Sequence, residues 1–193
     1  MNGIILCGGN ATRMGGIQKA LLPLNGSTLI EWKINLLKPH VDTILLVTNS
    51  PSSFEHLGYT CVRDVEPHMG PLMGIYSGLL QTSTVYNLFT GVDTPFLKDR
   101  LIRYLVEHGE QADGTVTVWN GKTEPLCAVY STTCIPLIRK TLHQYRVISF
   151  YEHADIRFVP EAAVQAIDPG GTSFFNINTY EDYSRAIEMS QIL

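Results

Sequence analysis

The chain has 193 residues, of which 45% are apolar and 17% are charged, and this size and composition suit a single globular α/β domain over residues 1–193. The formal net charge is −4, so the overall charge favours neither nucleic acid nor an anionic membrane, and any cations that bind a polyphosphate must be local. The apolar run at residues 4–7 is too short for a signal peptide or a membrane span, which predicts a cytoplasmic protein.

Apolar runs and helical periodicity alternate along almost the whole chain. In chain order, the predicted elements are a strand at residues 3–7, a glycine-rich loop at 8–18, a helix opened by the capping-box pair Thr28 and Glu31 that carries Leu29, Trp32, Leu36 and Leu37, strands at 43–48 and 60–62, a helix at 72–80, a strand at 86–92, a helix around 101–106, strands at 115–118 and 126–130, a helix at 134–142, strands at 156–159 and 174–177, and a helix at 182–192. Within residues 149–171, the Asp-Pro-Gly-Gly sequence at 168–171 indicates a turn or loop. The alternation predicts an α/β fold, a three-layer α/β/α sandwich with a mostly parallel, Rossmann-like sheet, whose ligand crevice lies beyond the carboxyl ends of the strands.

The loop directly after the first strand combines glycines with cations. Residues 8–18 contain four glycines, which let backbone N–H groups approach an anion closely, and Arg13 and Lys19 can neutralise phosphate oxygens. The loop is neither a Walker A sequence nor a GxGxxG dinucleotide-binding motif. It predicts a polyphosphate site, the alternative being a solvated turn with two incidental charges.

An aspartate follows the predicted strand at residues 86–92. Asp93 comes directly after this apolar run, and Pro95 fixes the turn behind it. A carboxylate at the carboxyl end of a strand is a suitable ligand for the divalent ion that phosphoryl transfer requires. We therefore predict that Asp93 is catalytic and binds Mg²⁺, with Mn²⁺ as the alternative ion; otherwise it would cap the helix that begins near Lys98.

Polar side chains also occur near three other predicted strands. Asn49 follows the second predicted strand, and its amide could pair with a base edge, whereas Asp64 follows the third and, read alone, is also compatible with a turn. Asn176 and Asn178 alternate along the sequence, so both would project from one face of a strand, where neutral oxygens suit a cation or a pterin. Asn178 could instead cap the C-terminal helix.

The order and spacing of these motifs resemble a known family. The loop LCGGxxxRMGGxxK at residues 6–19, followed by LLPLNG, is similar to the signature loop of the molybdenum cofactor guanylyltransferases, the molybdopterin-guanine dinucleotide biosynthesis protein A family. These enzymes belong to the wider nucleotidyltransferases that include the sugar-nucleotide pyrophosphorylases. The resemblance extends over nearly the whole chain, although Cys7 stands where the family pattern has alanine.

The resemblance implies a set of substrate contacts. The residues implied to bind the nucleotide are Leu6, Cys7, Gly8, Gly9, Lys19, Asn49, Asp64 and Asp93. The residues implied to be catalytic are Arg13, Lys19 and Asp93, with Asp93 as the metal ligand. The residues implied to bind the acceptor are Gly70, Gly74, Asn176 and Asn178.

The activity implied by the resemblance is transfer of GMP from GTP to the terminal phosphate of molybdopterin, with or without bound molybdenum, and release of pyrophosphate. Guanine is favoured because the paired glycines at 8–9 and 15–16 look like those of the guanylyl branch. The alternatives are a cytidylyltransferase acting on molybdopterin, a sugar-1-phosphate nucleotidyltransferase and, in a different class, a nucleotide-binding chaperone. Expected protein partners are cofactor-insertion proteins and apo-molybdoenzymes.

The four cysteines lack metal-binding spacing and predict buried structural thiols.

Overall fold

The structure, a computed structural model, describes residues 1–8, 10–11 and 17–191. Its strands are β1 (Asn2–Leu6), β2 (Asn10–Ala11), β3 (Ile17–Gln18), β4 (Pro23–Leu24), β5 (Ser27–Thr28), β6 (Ile44–Val47), β7 (Thr60–Val62), β8 (Tyr86–Gly91), β9 (Gly114–Trp119), β10 (Lys122–Ser131) and β11 (Ile156–Val159). Its α-helices are α1 (Leu29–Leu37), α2 (Pro71–Gln81), α3 (Asp99–His108), α4 (Cys134–Thr141), α5 (Glu161–Ile167) and α6 (Tyr180–Ser190).

Seven of the strands form one sheet in the order β11-β9-β10-β8-β1-β6-β7. Strand β1 lies parallel to both β8 and β6, and β7 lies parallel to β6. Strand β10 runs antiparallel to its two neighbours, β8 and β9, while β11 pairs with β9 in parallel. The predicted mostly parallel sheet is therefore confirmed, with one strand of opposite direction inside it.

Helices cover both faces of this sheet. Ile5 of β1 packs in the same apolar cluster as buried side chains of α1, α3, α5 and α6, whereas Ile4 and Leu6 pack in a second cluster with side chains of α2 and α4. Neighbouring residues of a strand point to opposite faces, so one short apolar run supplies both clusters. The two clusters complete the predicted α/β/α sandwich.

Helix α1 begins where its capping sequence predicts. The Thr28 N–H donates to Glu31 Oε2 at 2.7 Å, and the Glu31 N–H donates to Thr28 Oγ1 at 3.4 Å, which satisfies two backbone donors that the first turn leaves unpaired. Of the apolar residues that the sequence placed on this helix, Trp32 and Leu36 are only partly buried. The buried residues of α1 are Leu29, Ile30, Lys33, Ile34 and Leu37.

The predicted strand at residues 174–177 is wrong. Residues Thr172–Phe174 form a 3-10 turn, in which the Phe174 N–H donates to the Gly171 carbonyl at 3.0 Å and the Ser173 N–H donates to Asp168 Oδ2 at 2.7 Å. Such local hydrogen bonds compete with strand pairing. The residues after this turn consequently lie outside the sheet, and α6 begins two residues earlier than predicted, at Tyr180.

The segment at 149–171 contains more regular structure than the sequence indicated. Residues Glu161–Ile167 form α5, which packs Val164 against the sheet. All four cysteines are free thiols; Cys7, Cys127 and Cys134 are buried, as predicted, whereas Cys61 is only partly buried. Within the described ranges, no helix combines the length and the apolar character that crossing a membrane would need.

Candidate functional site

The central parallel strands β1, β6, β7 and β8 all end at one edge of the sheet. From these ends the chain continues into the loop after β1 and, after the other three strands, to Asn49, Asp64 and Asp93. Neighbouring strands lie about 4.8 Å apart, and β1 separates β6 from β8, so the Asn49 and Asp93 sides of the crevice are roughly 10 Å apart. This is the edge at which the sequence predicts the ligand crevice.

On the β8 side, three predicted residues meet in what we call the lysine cluster, composed of Lys19, Asp93 and Asn178. Lys19 Nζ lies 3.6 Å from Asp93 Oδ2 and donates to Asn178 Oδ1 at 3.2 Å. The Lys19 side chain is 12% exposed and that of Asp93 is 29% exposed. The ion pair is thus largely shielded from water while its carboxylate still reaches the crevice, an arrangement that strengthens electrostatic interactions with a bound anion or cation.

The turns around the lysine cluster orient its members. The Ile177 N–H donates to the Asp93 carbonyl at 3.0 Å, which joins the turn after β8 to the segment that carries Asn178. Thr179 caps α6, since its Oγ1 accepts the Asp182 N–H at 3.1 Å. Because Thr179 takes the capping position, the amide oxygen of Asn178 is left to accept from Lys19.

Asp93 does not act as a helix cap. The N-cap position of α3 is occupied by Lys98, and its backbone N–H donates to Ser173 Oγ at 3.1 Å. The carboxylate of Asp93 instead lies over the backbone of Gly91, where a Cβ atom would come within 2.5 Å of Asp93 Oδ1. Glycine at position 91 is therefore needed to accommodate the carboxylate in this tight turn.

On the β6 side of the crevice, the Asn49–Asp64 pair forms a second polar site. Asn49 Nδ2 donates to Asp64 Oδ2 at 2.7 Å, and the Asp64 N–H donates to Asn49 Oδ1 at 3.1 Å. Burial raises the pKa of Asp64, while the hydrogen bond from Asn49 and the charge of His68 act in the opposite direction. Among the described residues, the buried Asp64 Oδ1 has no hydrogen-bond partner, although a buried acceptor normally has one.

The predicted contacts at the end of β1 are only partly described. The Cys7 side chain is buried. The backbone N–H of Cys7 donates to the Val47 carbonyl at 2.9 Å, and the Leu6 carbonyl accepts from the Val92 N–H at 3.2 Å. Gly8 is exposed at the start of the loop. Gly9 and Arg13 lie outside the described residues, and their contacts with nucleotide stay predictions.

The two glycines predicted to contact the acceptor differ in their surroundings. Gly70 precedes α2 with φ of 77°, a conformation that favours glycine, and no heavy atom lies within 4 Å of the position of a Cβ. Gly74 lies inside α2, where a Cβ would come within 2.9 Å of Leu6 Cδ2. Close packing of α2 on β1 accounts for Gly74, and its contact with an acceptor remains a prediction.

A cavity of about 230 Å³ adjoins the lysine cluster and is lined by Asp93, Asn176, Glu124 and apolar side chains that include Phe174. Burial raises the pKa of Glu124 to about 6, and the negative charge of Asp93 adds to this effect while Lys122 opposes it. The cavity therefore combines an apolar wall with acidic and amide groups beside Asp93, which suits a flat polar ring. Glu124 is not among the site residues predicted from the sequence.

A family model for the MobA-like NTP transferase domain matches residues 3–159. The chain belongs to this family. It is 36% identical to the molybdenum cofactor guanylyltransferase of Desulfosudis oleivorans over 191 residues, which cover 96% of this chain and 94% of the relative. The resemblance noted in the sequence is thus confirmed, and the MobA-like domain is a nucleotidyltransferase of α/β fold.

Solved structures agree with this assignment. Molybdopterin-guanine dinucleotide biosynthesis protein A from Archaeoglobus fulgidus matches over 100% of both chains, with a TM-score of 0.86 and 25% identity. A Mycobacterium tuberculosis protein solved in complex with manganese shares the fold, with a TM-score of 0.67 and 15% identity over 97% of both chains. The lysine cluster and the Asn49–Asp64 pair thus occupy the strand-end edge of a MobA-like domain.

One charged residue beside the site of this MobA-like domain was missed by sequence analysis. Lys33 is only 1% exposed on the inner face of α1, and its Nζ donates to the Thr94 carbonyl at 2.5 Å. The signal was present in the sequence, because Lys33 falls at helical spacing from Leu29, Ile30 and Leu37 and so occupies a core position. A lysine in such a position indicates a buried polar partner.

Proposed function

We propose that this chain transfers GMP from GTP to the terminal phosphate of molybdopterin, with or without bound molybdenum. A terminal phosphate oxygen of the acceptor attacks the α-phosphorus of GTP, the bond from that phosphorus to the bridging oxygen of the β-phosphate breaks, and pyrophosphate leaves. The observation that carries the proposal is the meeting of Lys19, Asp93 and Asn178 at the strand-end crevice. The names of the relatives support guanine as the base and molybdopterin as the acceptor.

The residues beside the crevice fit a divalent cation. Asp93 offers a partly exposed carboxylate and Asn176 offers a neutral amide oxygen, which are the hard oxygen ligands that Mg²⁺ and Mn²⁺ prefer. Within the part of the chain that the structure describes, three or more acidic, histidine or cysteine groups do not gather as a metal centre; we infer that Asp93 shares the ion with nucleotide phosphates. When bound there, the ion supplies positive charge against the phosphate oxygens.

Lys19 binds the phosphates in this proposal, and Asn178 orients its ammonium. Two phosphate charges about 4 Å apart repel by roughly 4 kcal/mol at an effective dielectric constant near 20. The ammonium of Lys19, shielded from water and held by Asn178, offsets this repulsion and stabilises the charge that develops on pyrophosphate. Arg13, from the same glycine-rich loop, is proposed to add a second cation.

The Asn49–Asp64 pair holds the nucleoside in this proposal. Asp64 Oδ1 accepts a hydrogen bond from a donor on guanine or ribose, and Asn49 fixes the direction of the carboxylate through its two hydrogen bonds. A carboxylate that already has one oxygen occupied discriminates between donors and acceptors on the ligand, since a buried acceptor left without a donor is costly. Base selectivity would therefore depend on Asp64.

The acceptor occupies the cavity on the far side of Asp93 in this proposal. The cavity is lined by Asn176 and Phe174, and its volume of about 230 Å³ suits a ring of pterin size better than a complete dinucleotide.

We further propose that a single domain over residues 1–193 carries the activity, that it works in the cytoplasm, and that the product passes to cofactor-insertion proteins and apo-molybdoenzymes. One continuous sheet with segments from Asn2 to Val159 and four free thiols support the first two points.

Incubation of the protein with GTP, Mg²⁺ and molybdopterin tests the proposal directly. Mass spectrometry should detect molybdopterin guanine dinucleotide, and a coupled assay should detect one pyrophosphate for each dinucleotide formed. Parallel reactions replace GTP by CTP, or molybdopterin by a sugar-1-phosphate. Faster turnover in either replacement would assign one of the alternative activities, and nucleotide binding without pyrophosphate release would indicate a chaperone.

A further inference from the structure

Lys33 is a charged residue in an otherwise apolar environment. It lies on the face of α1 that also buries Leu29, Ile30, Ile34 and Leu37. Burying an ammonium group costs free energy that an aliphatic side chain at the same position would not cost, and such a residue is tolerated only when polar partners satisfy it. The partners of Lys33 therefore indicate what the charge does.

The partners of Lys33 belong to the turn that carries Asp93. Lys33 Nζ donates to the Thr94 carbonyl at 2.5 Å and to Thr94 Oγ1 at 3.2 Å, and Thr94 Oγ1 in turn donates to the Gly91 carbonyl at 3.3 Å. The ammonium thus holds the residue directly after Asp93 through two of its atoms. The threonine hydroxyl extends this contact to the other end of the turn.

The turn is held from both sides of Asp93. Lys33 binds Thr94 on one side of Asp93, whereas the Ile177 N–H donates a hydrogen bond to the carbonyl of Asp93 itself at 3.0 Å. Since the Asp93 carboxylate is already packed closely over Gly91, movement of Thr94 would redirect the carboxylate. Small displacements of a reacting group, of about 1 Å, can reduce a rate by roughly 10²-fold.

The charge on Lys33 is also felt at the site. Burial lowers the pKa of Lys33 to about 8, while the negative charge of Asp93 acts in the opposite direction. The group therefore remains protonated at neutral pH and lies within electrostatic reach of Asp93. A neutral side chain of equal length would remove both the hydrogen bonds and this charge.

We propose that Lys33 is a positioning residue, whose buried ammonium fixes the Gly91–Thr94 turn so that Asp93 presents its carboxylate to the metal and the phosphates. This inference rests on the proposed role of Asp93 as metal ligand. Groups that orient a metal ligand commonly change metal affinity by about 10- to 100-fold when they are removed.

The test measures Mn²⁺ binding to the protein in the presence of GTP, by electron paramagnetic resonance of free Mn²⁺. Lys33→Met should weaken Mn²⁺ binding about tenfold. Ile34→Val, on the same helix face, reduces apolar packing but keeps both bonds to Thr94, and it should bind Mn²⁺ as the unaltered protein does. Amide exchange at residues 92–94 should be faster in Lys33→Met than in Ile34→Val.

A second variant keeps the inference testable if Lys33→Met does not fold. Thr94→Val keeps the carbonyl and the side-chain shape but removes the hydroxyl, so it should weaken Mn²⁺ binding about threefold, a part of the effect of Lys33→Met. The double variant should bind no more weakly than Lys33→Met alone, because both changes break the same connection.

Asp93→Ala separates the two proposals. Loss of Mn²⁺ binding in Asp93→Ala together with unaltered binding in Lys33→Met, or in Thr94→Val where only that variant folds, would overturn the role of Lys33 and leave the proposed metal site intact. Unaltered binding in Asp93→Ala would instead refute the metal site itself.

Discussion

The lysine cluster and the Asn49–Asp64 pair lie at the same edge of the sheet but are built differently. Lys19 and Asn178 are separated by 159 positions in sequence, so their contact requires the whole domain to be folded. Asn49 and Asp64 are 15 positions apart and follow two adjacent parallel strands. The proposed phosphate site therefore depends on global packing, whereas the proposed nucleoside site depends on a local strand pair.

The largest expected effect of any single change is that of Asp93→Ala. Removing the carboxylate should lower kcat by about 10³-fold, because the divalent ion that Asp93 is proposed to bind would no longer offset the charge on the phosphates. Circular dichroism and thermal unfolding should be little changed, since Asp93 is partly exposed and the backbone bond to Ile177 remains. Steady-state pyrophosphate release measures the rate.

Asp99→Ala provides the matched control. This carboxylate lies six positions further along the chain, at the start of α3, and its contacts are to His40 and Arg103 at the surface. Turnover in Asp99→Ala should stay within about twofold of that of the unaltered protein, as expected for an exposed ion pair. Turnover of Asp93→Ala at the level of this control would remove Asp93 from the mechanism.

The next effect tests whether the lysine cluster acts as a unit. Lys19→Met should reduce kcat/KM for GTP by about 10²-fold, whereas Asn178→Ala should have a smaller effect of about tenfold. Since Asn178 orients the Lys19 ammonium, the double variant should lose less than the product of the single effects. Lys140→Met, an exposed lysine on α4, is the charge-matched control. Fully multiplicative effects would mean that the two side chains act independently.

The buried charge of Lys33 should make the free energy of unfolding depend on pH. The pKa of Lys33 falls from 10.5 to about 8 on folding, so between these values the unfolded chain binds more protons and the free energy of unfolding rises with pH. The gain from pH 7 to pH 10.5, relative to Lys33→Met, should be roughly 3 kcal/mol. Urea unfolding across this range measures it, with Lys38→Met, at the exposed end of α1, as control. A flat difference between the unaltered protein and Lys33→Met would contradict the buried ammonium.

The sequence was sufficient to predict the strand-end residues because each signal is local. Asp93 directly follows an apolar run, and its position at the edge of the sheet requires only that β8 be parallel to β1. The same reasoning placed Asn49 and Asp64. What it did not predict was the hydrogen bonding between them, in which Asn49 holds Asp64.

Other features could not be predicted because they depend on distant contacts. The hydrogen bond from Lys33 to Thr94 spans 61 positions, so the residues next to Lys33 in the sequence do not indicate its partner. The alternation around Asn176 resembles a strand, but the hydrogen bonds of Asp168 to the following turn stabilise a different local structure. In both places tertiary or side-chain contacts outweigh the periodic pattern.

The smallest effect distinguishes the Asn49–Asp64 pair from the lysine cluster. Asp64→Asn should weaken GTP binding about tenfold, as expected for loss of a charged acceptor, while kcat at saturating GTP stays nearly constant because the phosphates are held elsewhere. Calorimetric titration with GTP, inosine triphosphate and 2′-deoxy-GTP shows which donor is bound. Inosine triphosphate lacks the guanine amino group, so it should bind equally to the unaltered protein and to Asp64→Asn if Asp64 accepts from that group. If Asp64 accepts from the ribose 2′-hydroxyl, 2′-deoxy-GTP should instead bind equally to both proteins. A fall in kcat as large as that of Lys19→Met would mean that the two regions are one catalytic unit.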